Sequence, residues 1–133
     1  MLTFLLYTKT GWNDYFPEIS PSQTYGSELY NSRQTPTGSS VYVLNCLFNR
    51  FTSGSNGGAL YLTSTTYLLI ELSSFFSCKT SSNKGGAVYF SNSSGQCVFH
   101  NVCSNDCFST YSSASSYQFA YISVNNGASS KNY

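Results

Sequence analysis

The chain contains two copies of one short phrase, Gly-Gly-Ala followed by alternating aliphatic and aromatic residues. The first copy occupies 57–62 (GGALYL) and the second 85–90 (GGAVYF), so the period is 85 − 57 = 28 residues. Internal repeats of this length are typical of solenoids and related arrays, in which one repeat cannot bury its apolar face alone and stacks on its neighbours. The period therefore limits the possible folds more than any other feature of the sequence.

Each copy predicts a short β-strand that is entered through a sharp corner. Glycine adopts positive φ without a steric cost, and Leu, Val, Tyr and Phe suit a pleated, half-buried surface. Polar segments at 52–56, 80–84 and 91–95 separate the apolar blocks, and no helical periodicity extends over a useful length. We expect an all-β fold, a right-handed parallel β-helix (solenoid) of about four incomplete turns of roughly 28 residues.

The chain divides into an irregular part and a regular part. Residues 1–40 contain all three prolines, which central strands exclude, and we interpret them as an irregular or divergent first turn. Within them, 26–30 (GSELY) is interpreted as a degenerate copy of the repeated phrase, and the apolar 1–7 as a strand rather than a signal peptide. Residues 41–133 are predicted to form the repeat β-helix segment of the same domain.

Stacking the repeats on one another aligns residues into columns. Tyr61, Tyr89 and Tyr121 share one column, with Tyr30 as a candidate fourth member. The other predicted columns are Cys46 with Ser74 and Cys103, Cys78 with Cys107, Ile70 with Phe99, and Glu71 with His100. The predicted structural repeat residues are Gly57, Gly58, Ala59, Tyr61, Gly85, Gly86, Ala87, Tyr89 and Tyr121.

Composition argues against several classes of partner. Charged residues make up 8% of the chain and the formal net charge is +1, which argues against a nucleic-acid-binding surface. No apolar run approaches the length of about 20 residues that a transmembrane helix needs. The last residues, 128–133, contain no predicted cap, so we expect a piece of a longer array or edge-to-edge association through uncapped ends.

The sequence shows no arrangement that is typical of catalysis. A glycosidase needs two carboxylates about 5–10 Å apart, and the five acidic residues do not cluster in the stacked repeats. Glu71 and His100 fall side by side, and we interpret them as a pairing of surface charges rather than as an acid–base pair. No Gly-x-Ser-x-Gly elbow is present. We therefore predict no catalytic, cofactor-binding or metal-binding residues.

The cysteines leave two alternatives open. Cys103 and Cys107, with His100 nearby, would form a single zinc knuckle, whereas strong zinc motifs pair two. The alternatives are buried thiols in the interior or, in an exported protein, disulfides between neighbouring turns. The five cysteines are Cys46, Cys78, Cys97, Cys103 and Cys107. Asn92 begins an Asn-Ser-Ser sequon on a predicted loop and is a candidate glycosylation site.

The two Gly-Gly-Ala phrases, with the block Phe75-Phe76-Ser77-Cys78 before the second, resemble the GGA-repeat surface proteins. This family includes the polymorphic outer-membrane proteins of bacteria, and the resemblance is closest to their counterparts in parasitic protists. It covers 41–133 and includes the segments 47–50, 95–98, 103–107 and 117–120. The resemblance implies a right-handed parallel β-helix, a cell-surface or extracellular location and a role in adhesion, and it supplies no catalytic residues.

We therefore expect a non-catalytic, adhesin-like segment of the cell surface that has a structural or interaction role and needs no cofactor. Its expected partner is a host or neighbouring cell-surface protein or glycan. One alternative is a fragment of a carbohydrate-active β-helix enzyme of the polysaccharide lyase or glycosidase type, which clustered carboxylates on one face would favour. The other is a truncated repeat fragment without independent function.

Overall fold

The computed structural model describes residues 11–82, 84–111 and 118–125 together with 127, 130 and 132. The strand predicted at 1–7, the last residue of the chain and most of residues 108–116 lie outside the described residues. Within the described residues the chain is mostly β and contains eleven strands.

One helix and eleven strands follow each other along the described chain. They are α1 (Trp12–Tyr15), β1 (Gln23–Gly26), β2 (Leu29–Tyr30), β3 (Ser40–Leu44), β4 (Leu47–Ser53), β5 (Leu60–Leu62), β6 (Tyr67–Glu71), β7 (Ser74–Thr80), β8 (Val88–Ser91), β9 (Gln96–His100), β10 (Cys103–Asn105) and β11 (Ala120–Ser123). Helix α1 has four residues, too short for any periodicity to predict it.

All strand pairs are parallel, and they build three sheets. Sheet 1 has the order β1-β3-β6-β9, sheet 2 the order β2-β4-β7-β10, and sheet 3 the order β5-β8-β11. Sheets 1 and 2 take one strand from each of four successive repeats and sheet 3 one from each of the last three, so consecutive strands of the chain lie in different sheets. The all-β, parallel part of the predicted fold class is confirmed.

Recurring left-handed residues mark the corners between the sheets. Ser27, Asn45, Leu72 and Asn101 have φ of 50°, 53°, 50° and 52°, and each lies between a strand of sheet 1 and a strand of sheet 2. Positive φ is uncommon outside glycine, so the same corner recurs in four repeats although the residue type changes. This corner sets the register in which Cys46 lies opposite Ser73, whose Oγ accepts a hydrogen bond from the Cys46 backbone N–H at 3.1 Å.

Two columns predicted from the sequence are wrong because of this register. Leu47, not Cys46, pairs with Ser74, which in turn pairs with Cys103. Tyr30 lies over Phe48 in sheet 2 and not in the column of Tyr61, so 26–30 is not a copy of the Gly-Gly-Ala phrase. In the first repeat, the residue that pairs with sheet 3 is Gln34, which forms an isolated parallel β-bridge with Leu60.

The glycine pairs have two separate roles. Gly57 and Gly85 have φ of 68° and 66°, a region that side chains rarely adopt. Gly58 and Gly86 allow close approach instead, since a Cβ on either would lie within 3.0 Å of the backbone of a neighbouring segment. Ala59 lies over Ala87 and donates its backbone N–H to the Ala87 carbonyl at 2.7 Å, so the repeated phrases stack in register.

One apolar core is shared by the three sheets. Within it, Tyr30, Phe48 and Phe75 stack with ring centroids 5.1 and 4.7 Å apart, and Phe119 meets Phe75 edge-on at 5.4 Å. The fully buried aliphatic side chains of the same cluster are Val41, Val43, Leu60, Leu62, Leu68, Ile70 and Val88. The strand residues at alternating positions face away from this core and form the outer surfaces of the sheets.

Candidate functional sites

Glu71 is the most unusual charged residue of the described chain, because it is 2% exposed at the end of β6. It alternates with Leu69 on the outer surface of sheet 1, away from the shared core. The Gly11 backbone N–H donates to both carboxylate oxygens at 3.0 Å, the Tyr42 hydroxyl donates to Oε2 at 2.7 Å, and His100 Nδ1 lies 3.0 Å from Oε1. A carboxylate only accepts hydrogen bonds, so Nδ1 carries the proton in this contact.

Residues 11–19, which we call the N-terminal segment, cover the outer surface of sheet 1 and bury this carboxylate. A second apolar cluster joins Trp12, Tyr15 and Phe16 to Leu69 and Val98 of the sheet. The Trp12 ring lies 5.7 Å from Tyr42 and the Tyr15 ring lies 6.0 Å from His100. The predicted contact between Glu71 and His100 is present, but the prediction that it lies on the surface is wrong. Glu71 is buried under a segment about 60 residues away in sequence.

The surroundings of Glu71 hold it in its charged form. Burial alone would raise the pKa of Glu71, but hydrogen bonds from Tyr42, His100 and the Gly11 backbone outweigh it, so the pKa lies below the ordinary value. The pKa of Tyr42 is raised, first by burial and then by its hydrogen bond to Glu71. Each carboxylate oxygen already accepts two hydrogen bonds, which suits an anchor for the N-terminal segment rather than a group that takes a proton from a substrate.

We expect acid to destabilise the protein through this carboxylate. A carboxyl group whose pKa is lowered on folding stabilises the protein above its ordinary pKa of 4.5. That stabilisation is lost as the pH falls through the lower pKa of the folded state. The free energy of unfolding, measured by urea denaturation at several pH values, should fall less steeply below pH 4.5 in Glu71→Gln than in the wild type.

Asp106→Asn is the control for this pH dependence. The pKa of Asp106 is also lowered, by hydrogen bonds from Lys79 and Ser77, but the side chain is exposed. Solvent screens such a pair, so removing it should leave the pH profile close to that of the wild type. Parallel profiles for the wild type and Glu71→Gln would contradict the assignment.

The tyrosine column lies on the outer surface of sheet 3. Tyr61 pairs with Tyr89 and Tyr89 with Tyr121, and their rings stack 5.2 and 5.1 Å apart at 16° and 12°. The Arg33 guanidinium lies 4.6 Å from the Tyr61 ring centre and Lys84 Nζ lies 4.3 Å from that of Tyr121. Because the faces of neighbouring rings cover each other, the column presents ring edges and hydroxyl groups rather than a flat aromatic platform.

The cysteines are free thiols in three different settings. Cys46, Cys78 and Cys97 are buried, as the buried-thiol interpretation predicts. Cys103 is exposed on the outer surface of sheet 2 and Cys107 is half-buried, so that interpretation is wrong for Cys103. Burial raises the pKa of Cys97 to about 12.

The side chain of Asn92, the candidate glycosylation site, already makes two hydrogen bonds. Asn92 Nδ2 donates to the Thr65 carbonyl at 2.9 Å, and Asn92 Oδ1 accepts from the Ser94 backbone N–H at 2.9 Å. A glycan attached at Nδ2 would compete with the first of these bonds.

The outer surface of sheet 2 carries an apolar strip that the sequence analysis missed. Of the six most exposed large apolar side chains among the described residues, four lie along it: Leu29, Leu47 and Phe76 in the sheet and Leu72 at the corner before β7, with exposures of 59%, 41%, 39% and 53%. We call these four residues the apolar strip. The alternation around Phe48, which points into the core, was the signal in the sequence that Leu47 points outwards.

Two adjoining grooves follow the apolar strip. The first, about 390 Å³, is lined by Leu47, Asn49, Ser74, Phe75, Phe76, Cys103, Ser104 and Asn105, and none of these is charged. The second, about 320 Å³, shares Leu47 and Ser74 with it and extends past Leu29 to Glu28. Asn49 and Asn105 flank Phe76 in register, so amide groups border the apolar floor.

The described part of the chain contains no cluster of three or more His, Cys, Asp or Glu residues that could hold a metal ion. In the same part, no helix is long and apolar enough to cross a membrane.

Comparison with known proteins returned no match: no family model fits the chain, and no curated protein and no solved structure is similar to it.

Proposed function

We propose that the three sheets are the faces of a right-handed parallel β-helix. Three features support this architecture: from β3 onwards consecutive strands occupy sheets 1, 2 and 3 in turn, each repeat pairs in register with the next, and one core is common to all three sheets. Connections between parallel strands of one sheet are right-handed in nearly all proteins, which supports the hand.

The function that this architecture supports best is that of a non-catalytic interaction segment displayed at the cell surface. The observation that carries the proposal is the apolar strip, because monomeric proteins rarely expose contiguous apolar surface unless it binds a partner. The location follows from the resemblance of the Gly-Gly-Ala phrases to surface proteins. The saturated hydrogen bonding of Glu71 supports a non-catalytic role, since the carboxylate has no oxygen left to act on a substrate.

The chemistry of the strip favours a protein partner over a glycan. Three of its four side chains are leucines, which bind apolar side chains but offer no ring face to a sugar. The stacked tyrosines of sheet 3 likewise leave ring edges rather than ring faces exposed. We infer that the strip binds an extended or helical protein segment with apolar side chains, while Asn49 and Asn105 bind its backbone.

A peptide-display selection against the purified protein tests this function. Peptides rich in Leu, Phe or Ile should be enriched, and the double variant Leu47→Thr/Phe76→Thr should bind them at least tenfold more weakly. Each apolar side chain buried in a complex contributes about 1.5–3 kcal/mol, and 1.4 kcal/mol is a tenfold change in affinity. Threonine retains a high strand propensity, so the sheet should persist.

The matched control is Tyr111→Thr, which removes an exposed aromatic side chain away from the strip. It should bind the selected peptides as the wild type does. A glycan array probed in parallel separates the two kinds of partner, since binding of glycans without enrichment of peptides would overturn the inferred protein partner. Equal binding by the double variant and the wild type would overturn the role of the strip.

A further inference from the structure

Cys78 lies in β7, and Cys107 lies two residues beyond the end of β10, the neighbouring strand of sheet 2. Phe76 pairs with Asn105 before them and Thr80 with Ser109 after them, so the same register places Cys78 opposite Cys107. The Cys78 backbone N–H donates to Cys107 Sγ at 3.4 Å, so the Cys107 sulfur lies directly against the Cys78 backbone. The two thiols donate to neighbouring carbonyls of sheet 2, Cys78 to Phe48 and Cys107 to Phe75, both at 3.3 Å.

The spacing of the strands suits a covalent bond between these sulfurs. Neighbouring strands lie about 4.8 Å apart, and disulfide-linked residues have Cα atoms about 4.4–6.8 Å apart. Both side chains face the shared core, where Cys78 is a member of the buried cluster and Cys107 packs against it.

The two thiols differ in exposure and in acidity. Cys107 is half-buried on the last strand level of sheet 2, whereas Cys78 is fully buried. The proximity of Cys78 lowers the pKa of Cys107, although burial opposes this. The proximity of Cys107 and burial both raise the pKa of Cys78. Cys107 is thus the accessible nucleophile, and Cys78 is the resolving thiol.

We propose that Cys107 and Cys78 are a reversible thiol–disulfide pair that exchanges with small disulfides such as oxidised glutathione. The Cys107 thiolate attacks one sulfur of glutathione disulfide, the S–S bond breaks, and one glutathione thiolate leaves. Cys78 then loses its proton to solvent and attacks the Cys107 sulfur, releasing the second glutathione as a thiolate. Two protein thiols are oxidised and one small disulfide is reduced to two thiols.

No other pair of cysteines is placed in this way. Cys103 lies on the outer surface of sheet 2, in line with Ser74, and faces away from Cys107. Cys97 lies in β9 of sheet 1, and Cys46 hydrogen-bonds the Leu44 carbonyl at the corner before β4. All five cysteines are among the described residues, so the comparison covers every thiol of the chain.

Peptide mapping without reductant tests the pair in the wild-type protein. The folded protein is incubated with glutathione disulfide, its remaining thiols are alkylated, and the digest is analysed by mass spectrometry. We expect one peptide pair linked through Cys78 and Cys107, while Cys46 and Cys97 are alkylated only after unfolding. Reduction by glutathione should regenerate the free thiols. A stable glutathione adduct on Cys107 in the wild type, or a link from Cys107 to Cys103, would overturn the proposal.

Serine variants separate the two roles. In Cys78→Ser, Cys107 should accumulate as a stable mixed disulfide, because no second thiol can release glutathione. In Cys107→Ser, Cys78 should stay unmodified in the folded protein. Cys103→Ser is the control and should form the same link as the wild type. An adduct on Cys78 in folded Cys107→Ser would contradict the order of attack.

Discussion

Replacing Gly86 with alanine is expected to lower the free energy of unfolding by about 3 kcal/mol or more, since overpacking a tight contact costs about 1–3 kcal/mol and backbone atoms cannot rotate away. The added Cβ would lie within 3.0 Å of the Cα, C and N atoms of Phe108. Either the strand that follows Gly86 or the segment at Phe108 must move, and both belong to the stacked repeats. Urea denaturation followed by circular dichroism measures the loss.

Gly54→Ala is the matched control for this substitution. An added Cβ at Gly54 meets nothing within 4 Å, and the residue does not have a positive φ. The free energy of unfolding should therefore change by no more than about 0.5 kcal/mol. Equal midpoints for the two variants would mean that the second glycine of the phrase is not needed for close approach.

Replacing Glu71 with glutamine is expected to lower the free energy of unfolding by about 1.5–3 kcal/mol, the range for hydrogen bonds to charged groups. One carboxylate oxygen is replaced by an amide NH2 group, which cannot accept a hydrogen bond from the Gly11 N–H. The charge that orients Tyr42 and His100 is also lost. The N-terminal segment should separate from sheet 1. Trp12, the only tryptophan of the sequence, belongs to this segment and is 5% exposed against sheet 1, so its fluorescence should shift to the red.

Glu28→Gln makes the same change at an exposed site. Glu28 accepts a hydrogen bond from the Tyr30 hydroxyl at 2.7 Å, the same distance as between Tyr42 and Glu71, but in solvent. We expect a change of less than about 0.5 kcal/mol and an unshifted fluorescence spectrum. A stable Glu71→Gln variant with native Trp12 emission would show that apolar packing alone holds the segment on the sheet.

The sequence predicts the parts of the fold that depend on the backbone. Gly57 and Gly85 are required by positive φ, and Gly58 and Gly86 by close approach, so both pairs recur visibly at the repeat period. The pairing of the tyrosine column follows from the same period. The glycine positions are fixed by local backbone geometry that other residue types do not fit, so they can be recognised in the sequence.

The corners between sheets 1 and 2 leave no such mark. Asn45, Leu72 and Asn101 share one backbone conformation although they differ in type, and Leu72 carries no signal for it at all. The alignment of Cys46 with Ser74 failed at this point, since the exact residue at which the chain bends decides which side chain enters the next strand.

The burial of Glu71 could not be predicted from any local window. It depends on Gly11 and Trp12, about 60 residues earlier, folding over the outer surface of sheet 1. The pattern around Glu71 is that of a strand end facing solvent, and composition gave no sign of the cover. The apolar strip was hidden for the opposite reason, because Leu47 and Phe76 look like core residues in the sequence.

The register of sheet 3 makes the chain modular along its length. Leu60 pairs with Val88, and the preceding Ala59 lies over Ala87, so 60–87 is a closed unit of 28 residues. A segment removed or duplicated at these two points begins and ends at equivalent positions of the repeat. Every strand on either side therefore still has an equivalent partner strand. Unequal crossing-over within a coding sequence of this kind can therefore lengthen or shorten the array by whole units without creating a frustrated junction.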